Sequence, residues 1–261
     1  MFDFHMHSKV SFDGEDQGAD MLRAAEEAGL KEICFTDHLD YDPLGKMEGL
    51  AFDTQVYNAA YNSLCSAAVK VRRGMEFGML PDNRAQFEED LQRRQFDFVL
   101  GSVHFVDGLD VYFPEYWAGK TVFQGERRYL EQTLACVQAH DSFDVLGHLT
   151  YISKARANPV HRPVPYDAHQ ELIDGILEEL VRKDKGLEIN TSGMDRCGVY
   201  LPDAEHLLRF KELGGKIVTV GSDAHNSQRV GQHCKEACAL VKEIFGYVCT
   251  FENRTPVFHK L

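Results

Sequence analysis

Phe2-Asp3-Phe4-His5-Met6-His7 is a short strand-like run that ends in two histidines, and the same pattern recurs along the chain. Runs rich in Phe, Val and Ile near Glu32–His38, Lys70–Phe77, Asp97–His104, Asp144–His148, Leu187–Thr191 and Lys216–Asp223 alternate with longer segments of helical period. Tyr247–Phe251 is a possible last strand. Ala19–Ala28 and Asp203–Leu213 read as amphipathic helices closed by Gly29 and Gly214, because glycine easily takes the left-handed conformation that ends a helix. Alternating strands and helices imply a parallel sheet with crossover helices, so the expected class is α/β, built of βα repeats. No low-complexity tract or Ser/Gly-rich linker divides the chain, and residues 1–261 are expected to form a single domain.

The ends of these runs carry the chemistry. After His5-x-His7, the second run ends in Thr36-Asp37-His38, the third in Gly74-Met75-Glu76 and the fourth in Gly101-Ser102-Val103-His104. The fifth ends in Gly147-His148 and the seventh in Gly221-Ser222-Asp223-Ala224-His225, so that six of the twelve histidines fall at strand ends. In a parallel barrel those ends converge on the rim where active sites form. Alternate strand residues face one side, so both imidazoles of His5-x-His7 can reach one ion, and Asp223 and His225 share a face if their strand runs that far. Imidazole and carboxylate donors suit zinc, iron or manganese. No cysteine stands at these positions, which argues against a closed structural zinc site and for a catalytic cluster.

Composition narrows the field. With 44% hydrophobic and 26% charged residues, the chain has the make-up of a globular protein with a sizeable core. A formal net charge of -13 argues against binding long nucleic acids or anionic membranes, and a small anionic substrate would need local cations, either arginines or metal ions held by the acidic residues. No secretion signal and no run of about 18 apolar residues is present, so a cytoplasmic location is expected. The seven cysteines are an odd set at irregular spacings and read as reduced.

In this order the strand-end motifs resemble those of the polymerase and histidinol phosphatase (PHP) superfamily, over essentially the whole chain. The resemblance implies a distorted (β/α)7, TIM-like barrel around two or three divalent metal ions (Zn, Fe or Mn). Carried over residue by residue, it implies His5, His7, Glu76 and Asp223 as ligands of a first ion and Glu76, His104 and His148 of a second, with Glu76 bridging. Asp13, His38 and His225 resemble the ligands of a third, and some relatives have histidine where this chain has Asp13. The segments Ser102–Gly108, Glu188–Gly193 and Phe251–Val257 more closely resemble the histidinol-phosphate phosphatases of the PHP type, which act in histidine biosynthesis. The implied reaction is metal-dependent hydrolysis of a phosphomonoester, L-histidinol phosphate. A PHP phosphoesterase acting on nucleotides or other small phosphate esters, and a non-catalytic metal-binding PHP module, are the alternatives.

A metal cluster makes hydroxide available near neutral pH and spreads the charge of the attacked phosphoryl group. Glu76, Asp223 and His225 are therefore expected to serve catalysis as well as metal binding. Arg156 and Arg196 lie in loops just beyond strands and are expected to hold the substrate phosphate, since guanidinium pairs with phosphate through two parallel hydrogen bonds. The leaving alkoxide takes its proton from Asp223 or from a second water. Asp37, beside His38, either orients a ligand from behind or serves the structure alone. Two long segments remain, Ser153–Pro165 and the aromatic Gly108–Lys120, whose Asp110, Glu115 and Trp117 are expected to meet the imidazole and amine of the substrate.

Overall fold

Seven parallel strands pair side by side and curl into a nearly closed barrel in a computed structural model that describes residues 1–45 and 49–261. In chain order the strands are β1 (Phe2–Met6), β2 (Glu32–Phe35), β3 (His38–Leu39), β4 (Lys70–Gly78), β5 (Phe98–Ser102), β6 (Phe105–Val106), β7 (Leu109–Asp110), β8 (Val145–Leu146), β9 (Gly186–Asn190), β10 (Val218–Gly221), β11 (Tyr247–Glu252) and β12 (Thr255–Lys260). The barrel runs β1-β2-β4-β5-β8-β9-β10, with β3 continuing alongside β4. A parallel bridge from Met6 to Ala224 closes it, reinforced by His7 N donating to Ala224 O at 2.8 Å and Asp223 N to His5 O at 2.8 Å.

The helices are α1 (Gly18–Glu27), α2 (Thr54–Tyr61), α3 (Arg84–Gln92), α4 (Pro114–Trp117), α5 (Val122–Ala139), α6 (Tyr166–Arg182), α7 (Met194–Cys197), α8 (Ala204–Glu212) and α9 (Cys234–Ile244). The two helices expected from periodicity are α1 and α8. Asp203 caps α8 through the amides of Glu205 and His206, and Gly29 and Gly214 follow the two helices at positive φ. Each long helix turns one apolar face inward, as α1 does with Met21, Leu22 and Ala25. The strands are buried on both faces, which is why they read as nearly continuous apolar runs. Among the described residues no helix is long and apolar enough to cross a membrane.

The possible eighth strand is a correction. Tyr247–Glu252 is extended, but it pairs antiparallel with β12 as a hairpin and is not a barrel strand. Phe251 from that hairpin packs on Phe4, Cys34, Phe98, Leu100 and Val145, plugging the barrel. Arg72 of β4 bonds both Glu32 (2.6 Å) and Glu252 (2.7 Å), and Arg254 pairs with Asp144, so charged contacts pin the hairpin to the barrel strands. With that end filled, the ligand-bearing strand ends are the open ones.

Candidate metal centre

β4 carries Glu76 into the middle of a ring of imidazoles. Its Oε2 lies 3.3 Å from His5 Nε2, 3.5 Å from His7 Nε2 and 3.0 Å from His38 Nδ1. Its Oε1 lies 2.8 Å from His148 Nε2 and 3.4 Å from His104 Nε2. The residue is 0% exposed, and neither oxygen receives a well-formed hydrogen bond. An uncompensated buried carboxylate costs several kcal/mol, so this one demands cations. The donors around it are the nitrogen and oxygen ligands that divalent metals of zinc, iron or manganese type accept. Asp223 Oδ1 adds to the group at 3.5 Å from His5 Nε2 and 3.4 Å from His7 Nε2. Among the described residues, donor atoms within 4.8 Å of one another occur in four sets: His5-His7-Asp223, His5-Glu76-His148, His7-His38-His225 and His38-Asp40-His104. Asp13 stands beside the third set, 3.1 Å from His225 Nε2 and 3.6 Å from His38 Nε2.

Residues behind the ring aim the imidazoles. His5 Nδ1 lies 2.7 Å from Glu188 Oε1, His104 Nδ1 lies 3.1 Å from Asp40, and His225 Nδ1 lies 2.9 Å from the Asp223 carbonyl. Each of these acceptors places the ring proton on Nδ1 and leaves the Nε2 lone pair for the centre. His7 Nδ1 meets Ser11 Oγ at 3.2 Å, and that hydroxyl donates onward to Asp37 at 3.0 Å. The field is strongly anionic. Burial opposes protonation of His5 and His104, yet Glu188 and Glu76 outweigh it for His5, and Asp40 and Glu76 raise His104 to about 10. Burial, with His38 and His225 close by, pulls His7 down to about 3, leaving a neutral imidazole. A field that favours protons on several imidazoles favours metal cations at the same place.

The strand ends are shaped for close approach. A Cβ on Gly221 would stand 2.3 Å from His5 Cβ and 2.4 Å from Glu188 Oε1, so only glycine lets β10 lie against that pair. The strand then stops, and Asp223 turns into the left-handed region (φ 56), as does His148 (φ 49). The expectation that Asp223 and His225 share a strand face is thus corrected: their common direction comes from a turn. Asp3 holds that turn by accepting from Ser222 N (2.8 Å), Ser222 Oγ (2.6 Å) and Gly231 N (2.8 Å).

All nine residues expected as metal ligands meet at one rim. The phosphate-binding pair divides. Arg196 lines the cavity of about 540 Å³ that opens over the ring, its Nη1 donating to Lys154 O at 2.9 Å. Arg156 is exposed and does not line that cavity. The cation that does reach the ligands is Lys154, in the same loop, whose Nζ donates to Asp223 Oδ2 and, at 2.7 Å, to Ser192 Oγ. Its position in Ser153–Pro165 was the only sequence signal for it. Asp37 makes no bond to the His38 ring and instead gathers Ser8 N, Ser11 Oγ and Tyr61 OH. Of the Gly108–Lys120 residues, Asp110, Tyr112 and Phe113 line the cavity, whereas Glu115 does not and Trp117 is buried with its Nε1 donating to Val111 O. Glu188 and Asp40 were not singled out; one opens the Glu188–Gly193 segment and the other lies two residues after His38.

Comparison with known proteins agrees with this geometry. The PHP domain matches residues 3–192. A probable histidinol-phosphatase of Clostridium acetobutylicum is 31% identical over 262 residues, covering 99% of this chain and 96% of that protein. The histidinol-phosphatase of Lactococcus lactis is 31% identical, covering 96% and 94%. The crystal structure of histidinol phosphate phosphatase from Lactococcus lactis, complexed with zinc, L-histidinol and phosphate, superposes with a TM-score of 0.82 at 28% identity, over 98% of both chains.

Proposed function

The chain belongs to the PHP domain family, and on that premise we propose that it hydrolyses L-histidinol phosphate to L-histidinol and phosphate in histidine biosynthesis. The observation that carries the substrate is the full-length likeness to the Lactococcus lactis enzyme, whose structure holds zinc, L-histidinol and phosphate. The phosphoesterase unit is the whole of 1–261, because Asp223 and His225 lie beyond the matched residues and complete the ring.

Three divalent ions fit the donors: one on His5, His7, Glu76 and Asp223, one on Glu76, His104 and His148, and one on Asp13, His38 and His225. Zinc, iron and manganese all accept this set. When bound, such ions supply hydroxide near neutral pH and neutralise the phosphoryl charge. The chain's own residues do the rest. Glu188, Asp40 and Ser11 keep the imidazoles in the tautomer and orientation that ligation needs. Lys154 presents an ammonium on the cavity wall beside Asp223, where it pairs with a non-bridging phosphoryl oxygen, and Arg196 stands on the same wall. Burial opposes ionisation of Asp223, but Lys154 and His5 outweigh it and hold the carboxyl well below its usual range. A carboxylate therefore faces the cavity, and the Lys154 ammonium beside it is the proton donor we assign to the leaving alkoxide. Asp110, half-buried in the cavity wall with Tyr112 and Phe113, offers a negative charge and rings to the amine and imidazole.

Phosphate release from L-histidinol phosphate and from a panel of other phosphomonoesters, with manganese, iron or zinc supplied and a His104→Ala control, tests the reading. Strong preference for histidinol phosphate, lost in the control, is expected. Equal turnover of nucleotides or other esters would discard the substrate and keep the centre, and absence of turnover on every ester would leave a metal-binding module.

A further inference from the structure

Away from the metal centre, a cleft of about 220 Å³ opens between α2, β4 and the segment leading from α3 into β5. It shares no lining residue with the cavity over the ring. Three arginines line it, Arg73, Arg93 and Arg94, with the amides of Asn58 and Gln95, and among the described residues no carboxylate does. In a chain with 41 acidic and 28 basic residues, such a concentration of positive charge is contrary to the composition.

Two of the arginines are ion-paired at one edge of the cleft, and the third is not. Arg73 forms none among the described residues; its Nη1 donates to the neutral Asn62 Oδ1 at 2.6 Å. Arg94 is held rigidly, with Nε donating to Thr54 Oγ1 at 2.7 Å, Nη1 to Asp90 Oδ1 at 2.8 Å, and the guanidinium over the Phe52 ring. Arg93 pairs with Glu89 at the exposed rim. A fixed guanidinium, an unneutralised one and two amides form a donor set for a tetrahedral dianion, which guanidinium meets with paired hydrogen bonds.

We propose that this cleft is a second anion site, which binds a phosphate group, either inorganic phosphate or the phosphoryl end of a small metabolite. Its volume accommodates a phosphate and a few further atoms. Equilibrium dialysis of the metal-loaded protein with labelled inorganic phosphate, and separately with ribose 5-phosphate, tests it. The readout is the difference in bound anion per chain between the wild type and an Arg73→Gln/Arg93→Glu double variant, so phosphate held at the metal centre cancels. One fewer anion per chain in the double variant is expected, with binding at the cleft weakened at least about tenfold by an exposed Gln95→Glu substitution that keeps all three arginines. Loss with inorganic phosphate alone identifies the free ion as the ligand, and loss with both identifies any phosphoryl group. Equal stoichiometry in the wild type and both variants, for both probes, overturns the proposal.

Discussion

Lys154 is the side chain on which the proposed chemistry turns, because it links the Ser153–Pro165 loop to Asp223, a proposed ligand, through its ammonium. Lys154→Met should therefore lower kcat/KM for histidinol phosphate by about 100- to 1000-fold, as loss of one preorganised donor does, while elemental analysis finds the metal content unchanged. Arg156→Ala should stay within about twofold of wild type, since that side chain does not line the cavity. Glu188→Gln belongs to another class. It keeps a hydrogen-bond acceptor for His5 Nδ1 but removes the charge that makes the ring a strong donor, so metal affinity at the His5 site should fall about 10- to 100-fold, read by competition with a chelating dye. Eight of the nine proposed metal ligands were legible in the sequence because they stand as histidine or carboxylate at the ends of six of the seven apolar runs, whereas Asp13 came from the family resemblance alone. Lys154, Glu188 and Asp40 were not, because a residue that acts on a ligand from a different strand or loop leaves no spacing to read. Arginine's fit to phosphate favoured Arg156 over a lysine two positions away, and only the turn at Tyr151–Lys154 decides which of the two faces the cavity.

At the level of elements, the barrel strands were readable because each is buried on both faces and so leaves an unbroken apolar run. Their last residues were read too long, since the ligands sit on turns just beyond β5, β8 and β10. Tyr247–Phe251 looked the same as a barrel strand, for apolar content reports burial and not the identity of the pairing partner. Its partner is β12, and the hairpin is fastened by Arg254, which bonds Asp144 and Ser142 O. Arg254→Ala leaves Asp144, only 8% exposed, with the Val99 amide as its one other hydrogen-bond donor among the described residues. Because Arg254 is itself about a third exposed, the expected cost is reduced to about 1–3 kcal/mol, read from the urea midpoint at an unchanged slope, with kcat preserved. A loss of activity greater than the loss of folded protein would mean that the plug at the closed end shapes the open one.

The whole molecule separates stability from chemistry. Its apolar core lies between strands and helices, and a second apolar cluster fills the barrel under Phe251, so neither needs the rim to form. The rim instead crowds Glu76, Asp223, Asp40 and Glu188 into buried space, in a chain already at a formal charge of -13. Cations bound there relieve that repulsion only in the folded state, because unfolding scatters donors from six strands and turns. A ligand at a hundred times its dissociation constant stabilises by about 2.7 kcal/mol per site. For a chain of this size each kcal/mol moves Tm by about 2–4 °C, so emptying even one site should lower Tm by about 5–10 °C. Stripping the metals with a chelator is expected to produce at least that fall, while far-UV circular dichroism at 25 °C stays unchanged because the core is independent of the rim. Adding back zinc or manganese should restore Tm and phosphatase activity together. A Tm indifferent to chelation would mean that the ring of imidazoles around Glu76 is held by its own hydrogen bonds, and the metal assignment would fall with it.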